Sequence, residues 1–156
     1  MTGTAARPGY AIRSAVAADR SAVEQMLIAS KLPTAGVSSS LDGFLVAESG
    51  SDVIGAIGLE RYGDYGLLRS AAVEPSWQGK GVGRALVEEL LSSARASGLR
   101  GVYLLTTTAE GYFPAFGFTR VDRESVPQEV RESVEFADAC PASAAVQYLD
   151  LQENPG

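Results

Sequence analysis

A glycine-rich stretch between an apolar run and a helix-like run is the part of this chain best suited to chemistry. It reads Gln78-Gly79-Lys80-Gly81-Val82-Gly83 and is followed by Arg84. Glycines let the backbone come close to a ligand, and the unpaired amides of a helix's first turn attract anions, helped by the helix dipole. Lys80 and Arg84 add positive charge in a chain whose formal net charge is -6. The stretch therefore predicts a binding site for a phosphate-bearing molecule.

The spacing of these glycines shows which known type of phosphate-binding loop the stretch fits. The chain has no GxxxxGK followed by Ser or Thr, which the Walker loop requires. The dinucleotide fingerprint needs a sixth-position Gly or Ala, but that position is Arg84 counted from Gly79 and Leu86 counted from Gly81. The order Gln-x-x-Gly-x-Gly fits at every fixed position. This loop resembles the acetyl-CoA pyrophosphate loop of the GNAT N-acetyltransferase superfamily; a glycine turn without a ligand is the alternative.

Apolar patterning predicts the elements that position the loop. Asp19 is expected to cap a helix that buries Val23, Leu27 and Ile28, and Gly98 to end the helix that follows the loop. In chain order the predicted elements are a strand over 10–15, a helix over 19–30, strands over 44–48, 53–61 and 67–73, a helix over 82–96, a strand over 101–106, a short helix over 109–116, a strand over 118–121, a helix over 126–134 and a strand over 144–151. This order predicts an α/β fold with helices on both faces of a mixed sheet.

The same order is similar to the GNAT fold over nearly the whole chain. A second landmark agrees, since Ala109, Tyr112, Phe113, Gly117 and Phe118 resemble the pattern of the family's fourth helix. The resemblance implies a mixed, mostly antiparallel sheet of six to seven strands flanked by helices. It implies one domain over residues 10–152, which leaves a flexible tail over residues 1–9.

The resemblance also implies where acetyl-CoA binds. Two neighbouring parallel strands, 67–73 and 101–106, are expected to splay apart after a bulge and to admit the pantetheine arm. Backbone groups near Ala72 and Val73 would bond that arm. The loop from Gln78 to Arg84 would hold the pyrophosphate.

Composition limits the other chemistry. The chain has 156 residues, of which 46% are hydrophobic, with one cysteine, Cys140, and no histidine. Histidine bases, Ser-His triads and the usual zinc ligand sets are thereby excluded, and no metal is expected. No run of 18 apolar residues exists, and the balance of charge is acidic, so neither a membrane nor a nucleic acid is expected as partner. Cytoplasmic location and a homodimer are the remaining expectations.

Acetyl transfer needs a neutral amine and help for the departing thiolate. Many GNAT relatives place a glutamate base early in the fourth strand and a tyrosine acid in the fourth helix. Those positions are Leu67 and Phe113 here, so the usual residues are absent.

The register of the preceding hairpin predicts a substitute base. If Gly63-Asp64 is a two-residue turn, Glu60 faces Leu67 across the strands. Arg69 shares that face, and Gly58 would leave it room. We hypothesise that Glu60 receives or orients an ammonium, directly or through water, and that Arg69 binds a carboxylate or an arsinate. A surface ion pair between the two is the alternative.

Three other residues are weaker candidates. Tyr112 is a candidate acid if the short helix begins one residue late, although a core tyrosine is the alternative. Thr106 lies where relatives often carry an Asn and is a candidate ligand of pantetheine or substrate. Cys140 is more typical of an inert buried thiol than of an arsenic ligand.

Short motifs narrow the resemblance to one branch. Residues 67–73, 104–109 and 140–144 look like acetyltransferases related to N-acetylglutamate synthase domains and to arsenic-resistance enzymes, above all the arsinothricin N-acetyltransferases. The implied reaction is transfer of acetyl to the α-amino group of arsinothricin, an arsenic-containing glutamate analogue. A phosphinothricin or glutamate-like acceptor is the alternative, and so is a non-catalytic acyl-CoA-binding module.

Overall fold

The structure is a computed structural model that describes residues 5–7, 9–30, 43–106, 111–131 and 145–151. The α-helices are α1 (Arg20–Ala29), α2 (Val82–Ala96) and α3 (Gln128–Arg131). The strands are β1 (Ala5–Arg7), β2 (Tyr10–Ser14), β3 (Phe44–Ser49), β4 (Asp52–Tyr62), β5 (Tyr65–Val73), β6 (Gly101–Thr106), β7 (Thr119–Val121) and β8 (Ala145–Asp150). Short 3-10 turns cover Ala17–Asp19, Pro75–Trp77, Phe113–Phe116 and Arg123–Ser125.

The strands form one sheet in the order β1-β2-β3-β4-β5-β6-β8-β7. Strands β5 and β6 pair in parallel, whereas β1 with β2, β2 with β3, β3 with β4, β6 with β8 and β7 with β8 are antiparallel. The predicted mixed, mostly antiparallel sheet with a parallel pair is thus confirmed, but it has eight strands and not the predicted six to seven. By contacts the chain divides into a first unit, Met1–Leu59 with Ser70–Ser92, and a second unit, Glu60–Arg69 with Ser93–Gly156.

The core of the first unit lies between α1 and the strands before the glycine loop. Val23, Met26 and Leu27 of the helix are buried, and they pack with residues of β3, β4 and β5, namely Phe44, Val46, Ala56 and Ala72. The predicted helix face was wrong at Ile28, which is 67% exposed. Met26 takes the buried place instead, because a 3.6-residue period brings residues 23, 26 and 27 to one side.

Asp19 does not cap α1 in the predicted way, because its side chain makes no capping bond there. A 3-10 turn precedes the helix, and the Asp19 carboxylate accepts the Val16 amide at 2.7 Å. It also accepts two bonds from the Arg13 guanidinium, at 2.8 and 2.9 Å. These bonds hold the pKa of Asp19 below its usual range, so it stays charged at neutral pH.

The second unit has its own core beneath α3. Leu67, Tyr103, Val126, Val130 and Val146 are buried together, and half-buried side chains pack around them. Gly101 is required in this core because the Tyr148 ring lies where a side chain at Gly101 would stand. Helix α3 begins at Gln128, two residues later than the helix predicted over 126–134, and residues 132–134 lie outside the described ones.

Helix α2 begins and ends as its sequence predicts. Its apolar positions are buried, among them Val82, Leu86 and Leu90. Gly98 adopts a φ of 83°, which glycine tolerates, and the amide of Leu99 returns to the Ala94 carbonyl at 3.2 Å. No helix in the described ranges is both long and apolar enough to cross a membrane.

Two elements differ from the prediction. The segment 1–9, expected as a tail, contains β1, whose backbone pairs with β2 from Ala5↔Ile12 to Arg7↔Tyr10. Gly9 makes the turn possible with a φ of 85°, a local choice that apolar patterning does not reveal. The short helix expected over 109–116 is a 3-10 turn, Phe113–Phe116, and residues 107–110 lie outside the described ones.

Candidate functional site

The glycine loop has the open, amide-rich form that an anion needs. Gly79 and Gly81 have φ values of 80° and 87°, which side-chain-bearing residues rarely adopt. A Cβ built at either glycine meets nothing within 4 Å. Helix α2 starts at Val82, directly after them, so its first-turn amides follow an exposed loop.

The side chains before and within the loop contact residues next to the loop. Gln78 donates from Nε2 to the carbonyl of Val73, the last residue of β5, at 3.0 Å. Trp77 meets the Tyr10 ring edge-on, with 5.9 Å between centroids, and the Lys80 ammonium lies 5.3 Å from the Trp77 ring centre. The loop is thus fastened at its start, while the backbone of its two positive-φ glycines stays open.

Arg84, the last of the predicted loop residues, is already inside α2. Its guanidinium lies 3.2 Å from the Glu88 carboxylate one turn later, and the two side chains are 67% and 48% exposed. Such exposed pairs are weak. The pair with Glu88 therefore contributes little to stability.

Strand β5 has an irregular backbone between its two halves. Ser70 has a φ of 61°, the one positive φ outside glycine among the described residues. Counted from a two-residue turn at Gly63-Asp64, Tyr62 lies opposite Tyr65. The Glu74 amide bonds the Ile54 carbonyl at 2.8 Å, which is one residue away from the partner that this register predicts. The extra residue is a β-bulge in β5, and Ser70 is where the backbone departs from a strand.

The parallel pairing of β5 and β6 belongs to the part of β5 before Ser70. It runs from Tyr65↔Gly101 to Leu68↔Leu104, while β6 continues to Thr106. The predicted separation of these strands after the bulge stays a prediction.

The structure brings Glu60 and Arg69 together, as the hairpin register predicts. Arg69 Nη1 lies 3.2 Å from Glu60 Oε2, and the Tyr62 hydroxyl donates to Glu60 Oε1 at 2.7 Å. The side chain of Arg69 is fully buried, whereas that of Glu60 keeps 25% of its surface exposed. The alternative of a surface ion pair is therefore wrong for Arg69.

Gly58 lies against a ring of the neighbouring strand. A Cβ at Gly58 would overlap the ring of Phe44. Glycine at this position serves the core of the first unit, where Phe44 is buried.

Tyr62 was missed as a candidate from the sequence. The signal was present, because residues two apart on a strand point to the same face, so Tyr62 accompanies Glu60. Only the measured hydroxyl-to-carboxylate distance distinguishes it from a tyrosine that merely packs.

Comparison with known proteins decides the family. The family model for the acetyltransferase (GNAT) domain matches residues 40–120, just over half of the chain. The chain belongs to the GNAT acetyltransferase family. The matched range includes the hairpin with Glu60 and Arg69, the glycine loop and α2.

Curated relatives of this GNAT chain include an amino-acid acetyltransferase from Mycobacterium tuberculosis. It is 35% identical over 92 residues, which are 58% of this chain and 49% of the relative. An uncharacterized N-acetyltransferase from Chlorobaculum tepidum is 28% identical over 127 residues, 76% of this chain and 81% of the relative. This chain thus spans about half the length of the first of these relatives.

Solved structures with the same fold hold CoA. Rv2747 from Mycobacterium tuberculosis, in complex with CoA and NLQ, is 27% identical with a TM-score of 0.76, over 89% of this chain and 98% of that one. N-acetylglutamate synthase from Neisseria gonorrhoeae, in complex with CoA and N-acetyl-glutamate, has a TM-score of 0.80 at 19% identity. It covers 92% of this chain and 35% of the synthase chain, and at that identity the likeness concerns the fold alone.

Apolar core residues occupy the two positions, 67 and 113, where the resemblance to GNAT enzymes implies acid–base groups. Leu67 has no exposed surface, and Phe113 is buried against Phe118 with ring centroids 5.8 Å apart. Neither position is able to take or give a proton. Any acid–base group must therefore be supplied by other residues.

The remaining predicted residues occupy different settings. Tyr112 precedes the 3-10 turn and is 43% exposed, with its ring 5.2 Å from Phe113 and 5.4 Å from Phe116. Thr106 ends β6, is half-buried and pairs with Ala145. Cys140 lies outside the described residues.

Proposed function

We propose that this GNAT domain transfers the acetyl group of acetyl-CoA to the α-amino group of an amino-acid-like acceptor. The observation that carries the proposal is the loop before α2. Its two glycines hold positive φ values, and the space over both is open. Backbone amides in that arrangement, continued by a helix N-terminus, suit the pyrophosphate of CoA.

Three groups of residues are proposed to bind acetyl-CoA. Amides from Gly79 to Gly83 hold the pyrophosphate, while Lys80 and Arg84 add charge from exposed side chains. Backbone groups of Ala72 and Val73 bond the pantetheine arm. Gln78, whose amide binds the Val73 carbonyl, fixes the end of β5 next to the loop.

Glu60 is proposed to accept the acceptor's ammonium. One proton leaves that ammonium for Glu60 or a water that Glu60 holds. The neutral amine then attacks the thioester carbonyl, a C–N bond forms, and the C–S bond breaks. The departing thiolate takes a proton from a donor, for which the hydroxyl of Tyr112 is our candidate, and the second proton of the attacking nitrogen replaces the proton that this donor gave.

The role proposed for Arg69 follows from its burial. A guanidinium with no exposed surface, bonded to Glu60, holds that carboxylate in place. Direct contact of Arg69 with an acidic group of the acceptor stays a prediction, and so does contact of Thr106. Both contacts require the acceptor to reach the side chains of Arg69 and Thr106.

The acceptor class is proposed to be glutamate-like. Support comes from the relatives named amino-acid acetyltransferase and from the synthase fold that holds N-acetyl-glutamate. Arsinothricin, an arsenic-containing glutamate analogue, remains our finer proposal from the sequence resemblance, with phosphinothricin beside it. We further propose a cytoplasmic homodimer, which light scattering during size-exclusion chromatography tests for its oligomeric part.

The test is thiol release from acetyl-CoA with a panel of acceptors. The panel holds L-glutamate, L-glutamine, phosphinothricin and arsinothricin, with spermidine and an N-terminally acetylated lysine peptide as controls that carry no free α-amino group. Turnover confined to the amino acids supports the proposal. Turnover confined to the two controls overturns the acceptor class.

A second candidate is a non-catalytic acyl-CoA-binding module. The burial of Leu67 and Phe113 favours it, because the usual proton-handling positions are apolar. Calorimetric binding of CoA without turnover of any acceptor would replace the enzymatic proposal with this one.

A further inference from the structure

The two carboxylate oxygens of Glu60 accept hydrogen bonds from two residues, which lie on different strands. Tyr62, on β4 itself, donates to Oε1 at 2.7 Å, and Arg69, on β5, approaches Oε2 to 3.2 Å. Among the described residues these are the partners of Glu60, although Tyr62 and Arg69 each make further contacts. The carboxylate is therefore held at both ends.

Two donors leave this carboxylate able to bind a third. An ionised carboxylate offers about four lone-pair sites, and two are engaged here. The last torsion of a glutamate side chain is broad, so one donor alone would leave the group free to turn. Glu60 keeps 25% of its surface exposed, so a cation from solution is able to reach it.

We propose that Tyr62 is a positioning residue of the acceptor site. Its hydroxyl fixes the Glu60 carboxylate so that the remaining lone pairs stay available to the acceptor's ammonium. The inference rests on the proposed acetyl transfer, in which Glu60 receives that ammonium. Tyr62 acts through Glu60 and does not itself touch the acceptor.

The neighbouring tyrosines provide a matched control. Tyr65, on the other side of the Gly63-Asp64 turn, packs in the same cluster as Tyr62. Its ring lies 5.7 Å from that of Tyr103 and 6.4 Å from that of Tyr148, centroid to centroid. Tyr65→Phe therefore removes one hydroxyl from the cluster without removing a donor to Glu60.

The first measurement is the steady-state kinetics of Tyr62→Phe with the best acceptor of the panel. The KM for the acceptor is expected to rise roughly tenfold, which is the size of one lost hydrogen bond to a charged group. The KM for acetyl-CoA is expected to stay unchanged, because the glycine loop is untouched. Tyr65→Phe is expected to change neither constant; a Tyr62→Phe protein that behaves like Tyr65→Phe overturns the inference.

The second measurement is a double-variant cycle with Glu60→Ala. If Tyr62 acts through the carboxylate, Glu60→Ala/Tyr62→Phe has the same kcat/KM as Glu60→Ala alone. If the double variant loses kcat/KM by the product of the two single losses, the inference is overturned. Such a result means that Tyr62 contributes through packing and independently of Glu60. The same variants are also compared by the Kd of the acceptor, measured by calorimetry on the CoA-bound protein. This comparison needs no turnover.

The two proposals fail in different ways. A folded wild-type chain that binds and acetylates no acceptor overturns the proposed function, and the role of Tyr62 with it. An active wild type with a multiplicative cycle overturns the role of Tyr62 alone.

Discussion

The Arg69 guanidinium has no exposed surface and lies 3.2 Å from Glu60, whose carboxylate is 25% exposed. A charge removed from water depends on its partner far more than an exposed one does. The pair therefore has a structural consequence that is independent of any acetyl transfer.

Glu60→Gln is expected to lower the free energy of unfolding by about 1–3 kcal/mol, because it removes a negative charge that lies against a buried guanidinium. Urea unfolding at neutral pH measures the change. Glu88→Gln is the control, since the Arg84–Glu88 pair has the same 3.2 Å separation but is exposed. That variant is expected to change stability by about 0.5 kcal/mol or less. Equal losses in the two variants would contradict the prediction.

The loop glycines are expected to be needed for CoA binding beyond their effect on stability. Gly81→Ala forces a residue with a Cβ into a φ of 87°, at a cost of about 1–2 kcal/mol. The loop is expected to relax to another conformation, which weakens CoA binding by roughly tenfold in Kd. Isothermal titration calorimetry with CoA measures this change.

Gly50→Ala is the matched control for that experiment. Gly50 also has a positive φ, 62°, and open space around a built Cβ, but it lies in the turn between β3 and β4. It is expected to lose stability and to keep the CoA Kd. A Gly81→Ala protein that binds CoA as tightly as Gly50→Ala would remove the loop from the proposed site.

Tyr148 predicts a loss of stability at high pH. Burial raises the pKa of Tyr148 to about 12, and the nearby Asp150 carboxylate acts in the same direction. The pKa of a tyrosine in an unfolded chain is about 10. The folded state thus binds this proton more tightly, so its contribution to stability is complete below about pH 10 and is lost between there and about pH 12.

Urea unfolding from pH 9 to pH 12 measures that loss. Tyr148→Phe is expected to flatten the decline, since phenylalanine has no proton to lose. Part of the decline is expected to persist, because burial also raises the pKa of Tyr103. An unchanged slope in Tyr148→Phe would show that the titrating group lies elsewhere.

Asp19 predicts the opposite dependence at low pH. Its bonds from Arg13 hold the pKa of Asp19 below its usual range, so the stabilisation is present above about pH 4 and is lost as pH falls further. Asp19→Asn is expected to lose about 1–3 kcal/mol at pH 7, with a smaller difference from wild type at pH 3. Asp52→Asn, at the exposed start of β4, is the control. A difference that stays constant between pH 7 and pH 3 would contradict the prediction.

Local patterns predicted the elements whose signals lie within one stretch of chain. Helix α2 was predicted with its bounds, because its apolar residues keep a helical period and Gly98 ends it. The Gly63-Asp64 turn gave the register that puts Glu60 near Arg69. Both inferences need only spacing and turn chemistry.

Features that depend on tertiary packing or on competing side-chain bonds were missed. The exposure of Ile28 depends on which side of α1 meets the sheet, and the ring above Gly58 comes from Phe44, fourteen positions earlier. The Asp19 carboxylate makes no capping bond to α1, because it accepts hydrogen bonds from Arg13 and from the Val16 amide instead. No local pattern reports such competition.

The chain has a single tryptophan, and it stands immediately before Gln78. Trp77 meets Tyr10 edge-on and has the Lys80 ammonium 5.3 Å from its ring centre. Indole fluorescence of the native protein therefore comes from one place, beside the glycine loop. A ligand that draws Lys80 away from the ring changes the electric field at that fluorophore, so an emission titration follows the loop without any label.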